Sequence, residues 1–265
     1  MIEIFSLPFI QRAAIAGILI GFVTSYYGVF IVQRKLSFLG SGLAHSAFGG
    51  AALGLLLETE PLWVALPFTV IISILIVYLK EKSKLSGDTS VGILFSVAVA
   101  LGIIFLSLKK GYTNDAFTYL FGSILSVQKI DLIFSSFLAL LSVGTFFSQW
   151  KKWAYATFDV ELAQADKISV LKDEYILSIL ISVTIVISIK VVGIVLLTAF
   201  LVIPAATARL ISSTFFQMTI YSIIIGIVSS FVGLVASIQL DLPTGAVIIL
   251  IQAIFFIISL FFSRK

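Results

Sequence analysis

The sequence predicts an all-α fold: a polytopic transmembrane helical bundle of about nine spans. Of the 265 residues, 60% are hydrophobic and 11% are charged, whereas soluble domains average about 45–50% apolar and about 25% charged residues. The mean hydropathy is +1.19. The apolar residues also fall into stretches close to the ~20 residues that an α-helix needs to cross the hydrocarbon layer of a bilayer.

Nine apolar segments are long enough to be these spans, and they leave short loops between them. They are residues 7–32, 38–57, 61–79, 90–108, 128–149, 174–190, 192–212, 218–239 and 244–262. A shorter stretch, Ala116–Val127, is predicted to be a re-entrant or interfacial helix. The sixth and seventh segments are separated by little more than Lys190, which predicts a sharp turn at one membrane face. Residues 1–265 are therefore predicted to form one membrane domain.

The composition excludes several classes of function. The 17 basic and 13 acidic residues are too few to cover the surface of a soluble enzyme. A net charge of +4 spread along the chain forms no basic patch, so we expect no nucleic-acid partner. The absence of cysteine excludes disulfides and thiolate metal ligands. No Walker A or Rossmann glycine motif is present, so any ATP-driven work requires a nucleotide site on another chain.

The distribution of Lys and Arg predicts an orientation in the membrane. With nine spans and a cytoplasmic C-terminus at Arg264 and Lys265, the N-terminus lies outside. Twelve of the 17 basic residues then lie on the cytoplasmic side, in agreement with the positive-inside rule. The prediction is an integral, multi-pass plasma-membrane protein with its N-terminus outside and its C-terminus in the cytoplasm.

His45 is the only histidine of the chain, and it lies inside the second predicted span. It is either a histidine hydrogen-bonded to a neighbouring helix or a ligand for a divalent cation, since neutral imidazole is a common metal ligand. Small residues such as Gly42 and Ser46 flank it. They either leave space around the ring or permit close helix packing. Ser41 lies four residues earlier on the same helical face, where its hydroxyl is expected to bond the imidazole directly or through water.

Two positions in the last third of the chain are further candidates for an ion pathway. Pro204 lies inside the seventh segment, where it removes a backbone hydrogen bond and is expected to kink or break the helix. Irregular backbone is tolerated in a membrane only where protein or a cavity covers it, which suggests a channel or gate, although structural spans also contain kinks. Asp241 follows the eighth segment and is either a solvated carboxylate capping the ninth helix or an outer-mouth cation site.

The cytoplasmic stretch 158–168 is predicted to be a short amphipathic helix. Asp159 is placed as its N-cap. Leu162 and Ala163 are placed together on an apolar face. The carboxylates of Glu161 and Asp166 are placed in solvent. The stretch is read as a helix on the membrane surface, as an ordinary connection, or as a docking element for a soluble partner.

Four blocks of sequence then follow one another along the chain. They are Val32–Gly40 running into Leu43–Ala47, Tyr119–Leu125, Phe158–Ala163, and Val192-Gly193 with Leu201–Ala208, beyond which lie Asp241 and Pro243–Gly245. The Ile-Pro-Ala-Ala-Thr-Ala run within Leu201–Ala208 is the most specific. Together, over nearly the whole chain, these blocks resemble the membrane permease subunit of bacterial ABC importers for zinc, manganese or iron.

The resemblance implies a function and a set of partners. The fold would be that of a type II ABC importer permease, a transport protein and not an enzyme. Two copies would surround a central pathway, two cytoplasmic ATP-binding subunits would hydrolyse ATP, and an extracytoplasmic metal-binding protein would deliver the ion. The chain would lie in the bacterial inner membrane and bind no cofactor of its own. The transported ion would be zinc, with manganese as the second candidate.

Candidate roles for individual residues follow. His45 would lie on the cation route and is taken with Asp241 as a metal-contacting residue. The candidates for lining the pathway are Ser41, Gly42, Ser46 and Pro204. The 158–168 segment would be the coupling helix that docks on the ATPase, through Phe158, Asp159, Glu161, Leu162, Ala163 and Asp166.

Two departures from the family pattern affect these expectations. Similar permeases have an aspartate four residues before the histidine, where this chain has Ser41. That puts a carboxylate–histidine metal site in doubt or moves the carboxylate elsewhere. Their coupling helix also ends in glycine, which suits a left-handed C-cap. Here the matching residue is Lys167, and the turn is expected to differ.

Other functions remain open at this point. One is a vitamin or iron-chelate importer of similar architecture, which would need a wider route. Another is a stand-alone, proton-coupled secondary transporter, although such proteins bury several carboxylates in their spans and the acidic residues here cluster in loops or at span ends. An intramembrane enzyme is disfavoured, because no HExxH or Gly-x-Ser-x-Gly motif is present.

Overall fold

The computed structural model describes residues 7–83, 85–109 and 127–262, and within these ranges it contains helices and no strand. In chain order the helices are α1 Pro8–Gln33, α2 Ser37–Leu56, α3 Pro61–Ser83, α4 Gly87–Leu108, α5 Lys129–Ser148, α6 Trp150–Phe158, α7 Val160–Ala165, α8 Val170–Val192, α9 Ile194–Ile211, α10 Phe215–Leu240 and α11 Thr244–Phe261. The predicted all-α class is confirmed for these residues. The Tyr119–Leu125 block, the terminal residues Arg264 and Lys265, and all of the predicted re-entrant stretch except Val127 lie outside them.

Seven helices in the described part of the chain are long and apolar enough to cross a membrane. They are α1, α2, α3, α4, α5, α10 and α11, and they coincide with seven of the nine predicted segments. The count of nine spans is not confirmed. The remaining two segments fall on α8, whose first turns contain Lys172, Asp173 and Glu174, and on α9, whose apolar stretch is the shorter Leu196–Ile211.

Helices α1 and α2 form the centre of the bundle. About three quarters of each apolar span is buried inside the chain, 78% for α1 and 72% for α2, against 17–33% for the other five candidate spans. Helix α1 packs against α10, α9 and α5, and α2 packs against α4, α3 and α9. The outer helices therefore present most of their apolar surface away from the chain, towards lipid or another subunit.

The glycines around His45 serve close helix packing. A Cβ added to Gly49 would lie 2.5 Å from the Ala98 carbonyl oxygen of α4, and one added to Gly50 would lie 2.7 Å from the Ala65 Cα of α3. Both distances are far inside van der Waals contact, so only glycine allows these helix backbones to approach so closely. Of the two interpretations of the small residues, packing describes these positions.

The boundary between the sixth and seventh predicted segments lies at Gly193. Helix α8 continues through Lys190 to Val192, and the chain turns at Gly193 with φ 86° and ψ 153°. The prediction that Lys190 marks the turn is wrong by three residues. Glycine takes this positive φ without the steric cost that a Cβ would add, which explains why the chain turns there.

Pro204 does not break its helix. Helix α9 runs from Ile194 to Ile211 with Pro204 inside it, so of the expected kink or break, the break does not occur. Proline lacks an N–H, which leaves the carbonyl of Phe200 without its helical donor. Pro204 is buried in the bundle, and protein cover of this kind is what allows an unpaired backbone group at membrane depth.

The bundle has two distinguishable ends. At one end lie α6 and α7, the α1–α2 turn and the start of α10, where the Trp150 ring stacks on Phe215 at 5.6 Å. We call this the α6–α7 end. At the opposite end lie the α2–α3 turn, Gly193 and the α10–α11 turn, which contains Asp241.

Candidate functional site

His45 is held by the backbone of its own helix. Its Nδ1 lies 2.9 Å from the Ser41 carbonyl oxygen, and its ring meets Phe95 of α4 edge-on with centroids 5.3 Å apart. A carbonyl can only accept a hydrogen bond, so Nδ1 is the protonated donor. In the neutral ring this arrangement leaves the lone pair on Nε2, and neutral imidazole is the form that binds a metal ion.

Ser41 supports His45 differently from the sequence expectation. The predicted partner was the Ser41 hydroxyl, whereas the structure uses the Ser41 carbonyl. The reason is helical geometry: the carbonyl of residue i−4 points along the axis towards residue i, within reach of a side chain there. Any residue at position 41 would offer the same carbonyl, so the loss of an aspartate there leaves the orientation of the imidazole intact.

The four predicted pathway positions on α2 and α9 divide between two environments. Ser41, like His45, is half-buried, whereas Gly42, Ser46 and Pro204 are buried. The Ser46 hydroxyl donates to the Gly42 carbonyl at 2.7 Å. Ser41 and His45 belong to a partly open strip of α2, which we call the α2 strip and which consists of Phe38, Ser41, His45 and Phe48. That these residues line a pathway stays a prediction.

Asp241 lies far from this strip. It is exposed in the turn after α10, with φ 53° in the left-handed region, and its N–H is bonded to the Ser237 carbonyl. It therefore ends α10 and does not cap α11, whose N-cap is Pro243 without a side-chain bond. Helix α10 has 26 residues, about 39 Å at 1.5 Å per residue. The described residues contain no group of three or more His, Asp or Glu side chains arranged to hold a metal ion.

The predicted coupling helix is shorter than the stretch 158–168. Helix α6 ends at Phe158, and α7 covers only Val160–Ala165. Asp159, between them, has extended backbone angles (φ −146°, ψ 100°), and its Oδ1 accepts a hydrogen bond from the Leu162 N–H at 2.8 Å. Its predicted N-cap role is confirmed, and the same extended residue is what separates the two helices.

The predicted apolar face of this segment is wrong. Leu162 is 52% exposed while Ala163 is fully buried, because successive residues of a helix point about 100° apart. Val160 and Phe158 are also exposed, at 48% and 61%. The segment therefore shows Leu162 and its apolar neighbours outward and uses Ala163 to contact the protein. Glu161 is exposed as predicted.

The end of the segment is closed by two polar features. Asp166 is exposed as predicted, and it accepts a hydrogen bond from the Tyr155 hydroxyl at 2.7 Å. This bond raises the pKa of Tyr155 to about 12, so the hydroxyl stays protonated and remains a donor at physiological pH. Lys167 has φ 62°. The turn expected to differ without glycine therefore keeps the left-handed conformation, although lysine adopts it at a cost that glycine avoids.

Helix α6 anchors the segment to two long helices. On the α1 side, the buried Trp153 packs edge-on against Phe30 with centroids 5.7 Å apart. On the α10 side, Trp150 stacks on Phe215, and its indole N–H donates to Thr219 Oγ1 at 3.2 Å. These contacts hold α6 against α1 and α10, directly before the start of α7.

Arg34 adds a charged contact that the sequence reasoning missed. Its Nε donates to Thr157 Oγ1 at 2.9 Å. Burial lowers the pKa of the Arg34 guanidinium, and the carboxylates of Glu174 and Asp173 act in the opposite direction. Lys80 of α3 forms an ion pair with Glu174 of α8. The only signal in the sequence was an arginine two residues after an apolar run, inside the block that runs towards His45.

The fold and this site define a class of protein: a multi-pass helical membrane protein with a half-open histidine strip and a short exposed helix at one end. The chain belongs to the ABC 3 transport family, whose sequence profile matches residues 6–263.

Individual relatives are similar in sequence to this chain over most of their length. The high-affinity zinc uptake system membrane protein ZnuB of Haemophilus influenzae is 34% identical over 249 residues, 94% of this chain and 95% of ZnuB. The manganese import system permease protein ScaB of Streptococcus gordonii is 36% identical over 260 residues, 97% of this chain and 92% of ScaB. Among solved structures, a chain of PsaBC from Streptococcus pneumoniae in complex with Fab has a TM-score of 0.87 and 32% identity, covering 100% of this chain and 97% of its own.

Proposed function

We propose that this chain is the membrane-spanning permease of an ATP-driven importer of divalent metal ions, with zinc the first candidate and manganese the next. The observation that carries the proposal is similarity over more than nine tenths of the chain to permeases of a zinc and of a manganese system. The chain has no Walker A motif, so ATP hydrolysis belongs to separate subunits. Imidazole and oxygen ligands suit both metals, and His45 does not choose between them.

The proposed role of His45 is to contact the ion in transit. Its Nε2 lone pair is available, and Ser41 supplies no carboxylate beside it. A site with one imidazole holds a divalent ion weakly, which suits a transporter because a tight site would retain the ion. Pro204 is proposed to line the same pathway. Asp241 is proposed as a cation contact at the outer mouth, supported by its exposure at the opposite end of the bundle.

A second copy of the chain is proposed to complete the pathway. The α2 strip lies on the surface of a single copy and is half-buried there. An ion that moved along one copy would therefore meet lipid, in which a divalent charge is very costly. A facing copy would enclose the strip, and an extracytoplasmic metal-binding protein would load the enclosed route.

The proposed orientation places the α6–α7 end in the cytoplasm. Lys35, Lys82, Lys151, Lys152 and Lys167 are all at this end, as the positive-inside rule requires. Helices α8 and α9 are proposed as the two further spans, giving nine in total. Helix α8 has 23 residues, about 34 Å at 1.5 Å per residue, which is sufficient to cross. The N-terminus is then outside and the C-terminus cytoplasmic.

Replacing Leu162 with aspartate is expected to weaken binding of the ATPase subunits at least about tenfold. The side chain is 52% exposed on the outer face of α7, and burial of such an apolar anchor in a partner groove contributes more than about 1.4 kcal/mol when the anchor is central. Co-purification with titrated ATPase measures the effect. Gln164→Ala, at an exposed polar position of the same helix, is the control. Unchanged binding of the Leu162→Asp variant would remove α7 from the interface.

The function itself is tested with the reconstituted complex of permease, ATPase and metal-binding protein. A panel of free zinc, manganese and iron ions is compared with metal chelates and a vitamin as competitors for uptake into proteoliposomes. We expect the free ions to be imported and the chelates not to compete. Effective competition by chelates alone would favour the chelate importer, and uptake by the isolated chain on a proton gradient would favour the secondary transporter.

A further inference from the structure

The Arg34 side chain joins the α1–α2 turn to α6, directly before the coupling segment. Arg34 is the first residue after α1, and α2 begins three residues later at Ser37. Its partner Thr157 lies on α6, two residues before the Asp159 cap of α7. The bond therefore joins two residues that are 123 positions apart in sequence. One lies next to the start of α2 and the other next to the start of α7, the two helices with a proposed role in transport.

Two backbone hydrogen bonds close the α1–α2 turn. The Leu36 N–H donates to the Ile31 carbonyl at 2.9 Å, and the Lys35 N–H donates to the Val32 carbonyl at 3.2 Å. Lys35 has φ 57°, so the turn closes the helix end with a left-handed residue. A turn with both bonds in place moves with its helices, and movement of Arg34 reaches the start of α2.

Breaking the contacts between the Arg34 guanidinium and α6 costs free energy. Arg34 is half-buried at the α6–α7 end, and Arg34 Nη2 also lies 3.5 Å from the Trp153 carbonyl oxygen on α6. Separating α6 from the turn would break hydrogen bonds donated by a charged, half-buried group, which costs more than the loss of a neutral hydrogen bond. The turn and the Trp153–Thr157 part of α6 should therefore move together.

Trp150 holds α6 against a different helix, α10. Trp150 ties α6 to the start of α10, and the acidic side chain at the end of that helix is Asp241, at the opposite end of the bundle. Arg34 instead leads to α2, where His45 lies eight residues after Ser37, about 12 Å along the axis. Of the contacts that hold α6, the one between Trp153 and Phe30 reaches α1, those of Trp150 reach α10, and that of Arg34 reaches the turn that leads into α2.

We infer that the hydrogen bond between Arg34 and Thr157 transmits displacement of the coupling segment to α2, and that Arg34 is a positioning residue for His45. The inference rests on the proposed function, in which ATPase subunits move α7 during transport. Arg34 does not touch the ion. It makes the position of the His45 strip depend on the position of α7, so that ATP-driven movement opens or closes the route beside His45.

The experiment compares Thr157→Val, which keeps the volume and removes the acceptor, with Arg34→Ala and with Thr157→Ser, which keeps the hydroxyl. The quantity measured in proteoliposomes is the number of metal ions imported per ATP hydrolysed, alongside the amount of assembled complex. We expect Thr157→Val and Arg34→Ala to assemble and hydrolyse ATP but to lose at least about fivefold in ions per ATP, the lower end of typical coupling. Thr157→Ser should behave as wild type. The double variant that combines Arg34→Ala with Thr157→Val should import no fewer ions per ATP than Arg34→Ala alone.

The control and the contrary results are separable. Ser148→Ala removes an exposed hydroxyl that bonds only its own helix at the same end, and it should leave the ratio unchanged. A normal ratio in Thr157→Val with intact complex would overturn the link, as would a loss of assembly with a normal ratio in what assembles, since that marks a purely structural bond. A wild-type complex without ATP-driven uptake would overturn the proposed function and the link together.

Discussion

Metal uptake at limiting ion concentration should fall at least about tenfold when His45 is replaced with alanine, while the permease still assembles with its ATPase. The Ser41 carbonyl takes Nδ1 of His45 and leaves Nε2 as the nitrogen proposed to meet the ion. Mutating even an outer-shell partner of a metal ligand typically costs about 10–100-fold in metal affinity or activity, so losing the imidazole itself should cost at least the lower of these factors. The substitution should leave the fold intact, because the His45 ring is only half-buried and its ring contact is with Phe95. Initial uptake rates across a range of metal concentrations measure the effect.

Ser41→Ala is the matched control for this variant. It removes the hydroxyl and keeps the carbonyl that holds His45 Nδ1, so uptake should stay within about twofold of wild type, a difference of less than 0.5 kcal/mol. A loss as large as that of His45→Ala would show that the hydroxyl is a ligand in its own right. Full uptake in the His45→Ala variant at limiting metal would remove His45 from the mechanism.

Replacing Gly28 with alanine is expected to destabilise the folded protein by about 3 kcal/mol, at the upper end of the cost of overpacking. A Cβ at this position would overlap the carbonyl oxygen of Leu201 and lie 3.0 Å from its carbonyl carbon. The obstacle is backbone of α9, in the block that contains Pro204, and it cannot rotate away as a side chain could. Unfolding in mixed micelles, followed by helical signal, measures the change.

Gly144→Ala provides the opposite case. Gly144 lies in the interior of α5, where an added Cβ meets nothing within 4 Å. The substitution should leave stability unchanged or raise it by up to about 1 kcal/mol through helix propensity. Equal destabilisation by both variants would mean that the α1–α9 contact is not as close as described.

The sequence predicts the helical class and the places of the spans, because burial in lipid requires long apolar runs. It also predicts the N-cap at Asp159, since capping depends on residues only three positions apart. Both predictions rest on local chemistry. Of the kink or break expected at Pro204, the break does not occur in α9, and the position of the turn at Gly193 depends on a backbone angle that the apolar pattern does not reveal.

The candidate site was predictable only in part. The histidine and its helical face follow from spacing, but the choice between the hydroxyl and the carbonyl of Ser41 depends on helix geometry at atomic detail. The outward face of α7 could not be read from periodicity, because the helix has only six residues. The contact between Arg34 and Thr157 joins distant segments, and a single sequence carries no information on such pairs.

In the proposed function, this chain forms a metal pathway that is driven by ATP hydrolysis on another subunit. The most direct measurement is zinc and manganese uptake into proteoliposomes that contain the permease with its metal-binding protein, with and without the ATPase and with ATP or a non-hydrolysable analogue. We expect uptake of at least one of the two ions only when ATPase and hydrolysable ATP are both present. Uptake that is equal without ATPase, or no uptake of either ion in the complete system, would contradict it.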